Sequence, residues 1–280
     1  MRMEIQILGP LNATISDVAC IPSASKPRRL FALLAVNAGQ VVTTSEIAEE
    51  IWDSRPPRSA MTTLHTYVLQ LRKKLEAVLG EGRSQTSRDI VVTGRSGYVL
   101  DVDPGQVDAG RYERLAAAGR RAATDGDDQT ATTKLASALG LWRGTALADV
   151  EIGPHLGIET TWLEENRLAD LELRIEVDLR LGRHHRLLGE LAGLCVRYPM
   201  LEGFHAQYML ALYRSGRQWR ALEIYQRLRA LLVNQLGIDP TARVQKLHQA
   251  ILNGDPALDD APLITDSWVP VGRAAAMYRS

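Results

Sequence analysis

A chain of 280 residues with 45% apolar and 24% charged side chains has the balance of a soluble globular protein and the length for roughly two domains. No run approaches the ~20 apolar residues of a membrane span, and the N-terminus lacks a charged-then-apolar leader, so a cytoplasmic protein without a membrane partner is expected. The two cysteines, Cys20 and Cys195, are too far apart and too apolar in context to suggest a disulfide framework or a metal centre. Basic and acidic residues balance at 33 each, so any attraction for phosphate must be local. Such a region exists: between Ser54 and Leu75 there is no acidic residue, while Arg55, Arg58, Arg72, Lys73 and Lys74 are cationic.

In chain order, Met3, Ile5 and Ile7, then Leu11, Ala13 and Ile15, alternate with polar residues across Gly9-Pro10, which predicts a small antiparallel meander. Ser25 and Pro27 open a first helix whose apolar set is Leu30, Phe31, Leu33 and Leu34, closing near Gly39. Thr43 and Glu46 stand at capping-box spacing before a second short helix ended by Pro56-Pro57. A third helix, from about Arg58 to Leu79, carries Met61, Leu64, Val68, Leu71, Leu75 and Val78 on one stripe. Ile90 and Val92, the turn Gly94-Arg95-Ser96-Gly97, and Tyr98, Leu100 and Val102 then predict a hairpin tipped by an arginine.

Strand signals end at Pro104-Gly105, and amphipathic helical stretches follow at about 109–123, 128–142, 155–181, 184–197, 202–215, 218–235 and 241–252. Leu181-Gly182-Arg183 and Ser215-Gly216-Arg217 recur at the 34-residue period of tetratricopeptide helix pairs, with Leu187 and Ala221, Leu191 and Tyr225, Leu194 and Leu228 in register. The predicted fold is mainly α: an N-terminal winged helix-turn-helix with small antiparallel sheets over 1–103, an all-α tetratricopeptide-like domain over 104–253, and a mobile tail over 254–280.

Three short helices followed by a hairpin is the order of a winged helix, whose third helix enters the DNA major groove. Opposite the apolar stripe the third helix shows hydroxyl and amide side chains, which suit base edges, with cations beside them. Thr62, Thr66, Leu69, Gln70 and Arg72 are the expected base-reading residues, Leu69 facing a thymine methyl. Arg58, Thr63, His65, Lys73 and Lys74 are expected at phosphates, together with Lys26 and Arg28 at the start of the first helix, where cations oppose the helix dipole. Arg95 at the wing tip suits a narrow minor groove. His184-His185 does not make a metal pair, because adjacent helical residues point about 100° apart. No nucleophile elbow, paired metal motif or phosphate loop points to an enzyme or a cofactor.

The N-terminal meander, Leu71-Arg72-Lys73-Lys74-Leu75 and Ser96-Gly97-Tyr98-Val99-Leu100 resemble the winged helix of OmpR-type response regulators. Val107-Asp108-Ala109 with Arg111-Tyr112-Glu113, Leu141-Trp142-Arg143-Gly144 with Ala146-Leu147-Ala148-Asp149, and Gly237-Ile238-Asp239-Pro240 resemble the bacterial transcriptional activation domain. Together they resemble the Streptomyces antibiotic regulatory proteins. That resemblance implies an activator of an antibiotic or secondary-metabolite gene cluster that binds direct repeats near promoters. It also implies a second copy beside it on double-stranded DNA and recruitment of RNA polymerase holoenzyme through its sigma and alpha subunits. A nucleoid-associated place in the cytoplasm follows, with no ATP, metal or other cofactor. A transcriptional repressor and a tetratricopeptide-like protein-interaction scaffold are the alternatives that the residues themselves leave open.

Overall fold

Met3 and Ile5 on one strand, and Ala13 and Ile15 on the next, point inward and place the first sheet over the core. Its strands β1 (Met3–Gln6), β2 (Asn12–Ile15) and β3 (Val18–Ala19) pair antiparallel in that order, in a computed structural model that describes residues 3–53, 55–80 and 86–260. Ser16 and Asp17, both at positive φ, make the two-residue turn that brings in β3, a strand too short for alternation to reveal. Three helices follow, α1 (Ser25–Val36), α2 (Thr44–Trp52) and α3 (Ala60–Leu79). A one-turn α4 (Ser87–Ile90) leads into the wing strands β5 (Val91–Thr93) and β6 (Gly97–Leu100). The hairpin has a third strand that the sequence does not announce: β4 (Val41–Thr43), just before α2, pairs with β6, giving the order β4-β6-β5.

Beyond the wing, among the described residues, every regular element is helical: after one 3-10 turn come α5 (Asp108–Thr124), α6 (Asp128–Leu139), α7 (Pro154–Arg180), α8 (His184–Arg197), α9 (Glu202–Arg214), α10 (Gln218–Leu236), α11 (Ala242–Asn253) and α12 (Ala257–Asp260). Gly182 and Gly216, the glycines of the 34-residue period, both adopt positive φ where α7 turns into α8 and α9 into α10, a conformation that favours glycine. The expected tail does not begin at 254. Leu258 of α12 packs on the helical core and its carbonyl accepts from Arg214 Nε at 2.7 Å, so chain up to there is tied down. The rest of the expected tail, 261–280, lies outside the described residues.

Packing divides the chain into two units, Met1–Ala117 with Ser137–Arg167, and Ala118–Ala136 with Leu168–Ser280. Strands give way to helices at Pro104, but the first unit's core does not stop there. Tyr112, Ala116, Trp142, Leu147, Leu156 and Leu163 share one cluster with Ile5, Ile7, Phe31 and Leu64. Buried Asp108 accepts from the backbone N–H of Ile7 at 2.7 Å and of Leu8 at 3.1 Å. Asp149 accepts from the N–H of Leu11 and from Arg28. In the second unit Leu187, Leu191, Phe204, Ala221, Tyr225, Leu228 and Ile251 form the core between α7, α8, α9, α10 and α11. Burial pushes the Cys20 thiol up to about 11 and the Cys195 thiol up to about 12, so neither is a reactive thiolate. Among the described residues no helix is long and apolar enough to cross a membrane, and no cluster of metal-ligating side chains occurs.

Candidate nucleic-acid interface

Two local devices fix where α2 and α3 begin. Thr43 and Glu46 form the capping box: Glu46 Oε2 accepts from the Thr43 N–H at 2.7 Å and Thr43 Oγ1 accepts from the Glu46 N–H at 3.2 Å. Pro56 and Pro57 separate the helices, and α3 starts at Ala60, so Arg58 stands exposed just ahead of its first turn. Along α3, Leu64, Val68, Leu71, Leu75 and Leu79 are buried. Thr62, His65, Thr66, Leu69, Gln70, Lys73 and Lys74 are exposed and Thr63 is half-buried. Leu69 is 60% exposed, an apolar side chain set among the polar residues of this face. Thr66 Oγ1 donates to the Thr62 carbonyl at 3.0 Å, so in this rotamer it offers lone pairs and a methyl outward and keeps no proton to donate.

Two of the expected DNA contacts have other work. Arg72 does not point outward with Gln70 and Lys73. Its Nε and Nη2 donate to the Val91 carbonyl at 3.1 and 2.6 Å, and Nη2 donates to Thr93 Oγ1 at 2.7 Å, which removes it from the base-reading set. Arg28 is likewise engaged, pairing with Asp149 and donating to the Leu11 carbonyl at 3.0 Å. A cation already held by a carboxylate and a carbonyl gains little from a phosphate. Lys26 remains exposed and reaches over the Trp52 ring at 5.7 Å, while Trp52 stacks on Tyr67 of α3 at 6.2 Å. Thus Lys26 is held against the α2–α3 pair with its charge in solvent.

The wing is held closely. Ser96 accepts from the Thr44 N–H at 3.0 Å, and Gly97 packs so tightly on β4 that a Cβ there would stand 1.9 Å from the Val42 carbonyl oxygen. Tyr98 is buried as a core residue, and desolvation pushes its phenol up, opposed by the nearby Arg72 charge. Arg95 at the tip is exposed.

A buried polar centre that periodicity did not reveal lies behind α2. Glu50 is fully buried. Its Oε1 accepts from Arg29 Nε and from the Gly153 N–H, both at 2.8 Å; its Oε2 accepts from the N–H groups of His155 at 2.9 Å and Leu156 at 3.0 Å. A carboxylate of α2 therefore caps the first turn of α7, with the helix dipole favouring its charge. The only sequence signal was an acidic residue placed next to Ile51 on the inner side of a short helix.

Comparison with known proteins gives two family matches. The bacterial transcriptional activator domain matches residues 107–252, and the family described as transcriptional regulatory protein, C terminal, matches 19–100. The regulatory protein DnrI of Streptomyces peucetius is 48% identical over 92% of this chain and 94% of its own length. The transcriptional regulator RedD of Streptomyces coelicolor is 35% identical over 91% of this chain and 72% of its own. A solved structure of Mycobacterium tuberculosis EmbR in complex with a low-affinity phosphopeptide superposes with a TM-score of 0.84 at 30% identity, covering 91% of this chain and 66% of that one.

Proposed function

The chain belongs to the Streptomyces antibiotic regulatory protein family, DNA-binding transcriptional regulators and not enzymes, and from that premise we propose how it reads its site. Helix α3 enters the major groove with Thr62, Thr66, Leu69 and Gln70 against base edges. Gln70 suits adenine, Thr66 offers an acceptor and a methyl, and Leu69 covers a thymine methyl. Arg58, Thr63, His65, Lys73, Lys74 and Lys26 meet phosphates on either side, and Arg95 enters the adjacent minor groove. Two copies bind direct repeats side by side, one helical turn of ~10–10.5 base pairs or a multiple apart. The helical segment after the wing contacts the sigma and alpha subunits of RNA polymerase holoenzyme and so activates a secondary-metabolite gene cluster, in the nucleoid of the cytoplasm.

The observation that carries this reading is the exposed face of α3, polar except for Leu69 and, in the first turn, Met61, set opposite the buried stripe Leu64, Val68, Leu71, Leu75 and Leu79 on the same helix. Selection of binding sites from a randomised duplex library, followed by footprinting on the promoters beside its own gene, tests it. Recovery of a repeated motif protected in the major groove, with affinity falling steeply as salt rises, is expected. A library that yields no enriched sequence would refute it.

A further inference from the structure

We infer that Arg72 is a positioning residue that sets the spacing at which the protein reads its operator, by fixing the wing to the major-groove helix. This rests on the DNA-binding reading above and goes beyond it, because it concerns distance along the duplex and not base identity. Three hydrogen bonds run from one guanidinium on α3 to the first and last residues of β5, at 3.1 and 2.6 Å to the Val91 carbonyl and 2.7 Å to Thr93 Oγ1. Thr93 is the last strand residue before the turn that carries Arg95. A charged fork of donors fixes orientation as well as distance, which a single ammonium or a neutral donor does less well.

The opposite side of the hairpin is equally constrained. The Thr44 N–H binds the Ser96 carbonyl at 3.0 Å, and the β4–β6 pairing at Gly97 leaves no space for a Cβ. With both strands tied, Arg95 moves with α3. The major-groove bases and the minor-groove position are then read as one ruler. Inserting one base pair between them shifts the groove by ~3.4 Å and turns it by about 35°, more than a hydrogen-bonded strand gives without breaking its contacts.

The test uses the full chain and a duplex that it has itself selected from a randomised library, together with a series carrying one inserted base pair at each successive step. Wild-type protein is expected to lose about tenfold or more at the insertion that separates the α3 motif from the wing tract. Arg72→Met keeps the stem and removes every donor. It should bind the selected duplex more weakly, discriminate against that insertion by no more than about twofold, and leave base preference within the α3 motif unchanged. Added to Arg95→Ala it should weaken binding no further, since both act through the wing. Thr93→Val, which removes one partner of the clamp without touching α3, should relax spacing in the same direction and carries the test if Arg72→Met fails to fold. Spacing discrimination that survives both substitutions overturns the inference. So does a changed base preference in Arg72→Met that adds fully to Arg95→Ala, since Arg72 would then read bases itself. Failure to select any sequence instead brings down the DNA reading, an outcome distinct from a selected site whose spacing is tolerated.

Discussion

Replacing Glu50 by alanine takes away the acceptor of one buried guanidinium and of three backbone N–H groups at the start of α7. Breaking a buried ion pair from one side costs about 3–5 kcal/mol, because the remaining charge stays desolvated. Glu151 lies 3.7 Å from the far end of Arg29 but is 68% exposed, so it offers partial compensation and places the expected loss near the lower bound. Arg29→Met should cost less, about 1–3 kcal/mol, since Glu50 keeps three N–H donors and the positive end of a helix. With a urea slope of about 2–3 kcal/mol per M for a unit of this size, Glu50→Ala moves the unfolding midpoint down by about 1–2 M. Tryptophan fluorescence follows it, because Trp52, Trp142 and Trp162 all belong to the first unit. A loss below about 1 kcal/mol, or an Arg29→Met variant less stable than Glu50→Ala, would refute the assignment of Glu50 as the cap.

Gln70→Ala and Thr66→Ala should each cost about 1–3 kcal/mol on the selected site and relax preference there, read by binding to single-base variants; equal loss on random duplex would refute direct reading. Lys73→Ala should weaken all sequences alike and lower the salt slope by about one, measured as affinity against salt concentration. Gly97→Ala forces a Cβ to 1.9 Å from the Val42 carbonyl oxygen, so β4–β6 pairing should open at a cost of at least about 1–3 kcal/mol, seen as faster amide exchange across 91–100. Desolvation raises the Glu172 carboxyl above its ordinary 4.5, opposed by Arg243. A raised carboxyl contributes stability that is present below the ordinary value and lost as pH rises through the folded one, so Glu172→Gln should raise the melting temperature at about pH 7 and show no advantage near pH 4.

A chain stopped at residue 103, where the end of the strand signals places the boundary of the expected DNA-binding domain, would lose Asp108 from the Ile7 and Leu8 amides and Tyr112, Trp142 and Leu156 from the core. It should melt without cooperativity and bind a hydrophobic dye, and cooperative melting equal to that of the full chain would count against a shared core.

Local pattern carries far in this sequence. Leu64, Val68, Leu71 and Leu75 of the α3 stripe, the Thr43–Glu46 capping box and the glycines at a 34-residue period appear in the structure where spacing puts them, whereas Met61 and Val78, expected on the same stripe, are exposed and half-buried at the two ends of the helix. Which cations face solvent was not legible. Arg72 meets Val91 across 19 residues, Arg28 meets Asp149 across 121 and Glu50 meets Leu156 across 106, and nothing in the local sequence of any of these tells a held side chain from a free one. Nor is β4 readable, since three residues are too few to alternate and its partner lies beyond three helices and a strand. Sequence by itself determined that α3 has a mostly polar exposed face opposite a core face. Tertiary structure decided which of its cations stay in solvent and which one is bonded to the wing strand, because a charge takes its surroundings from the partners that long-range packing brings within hydrogen-bond reach.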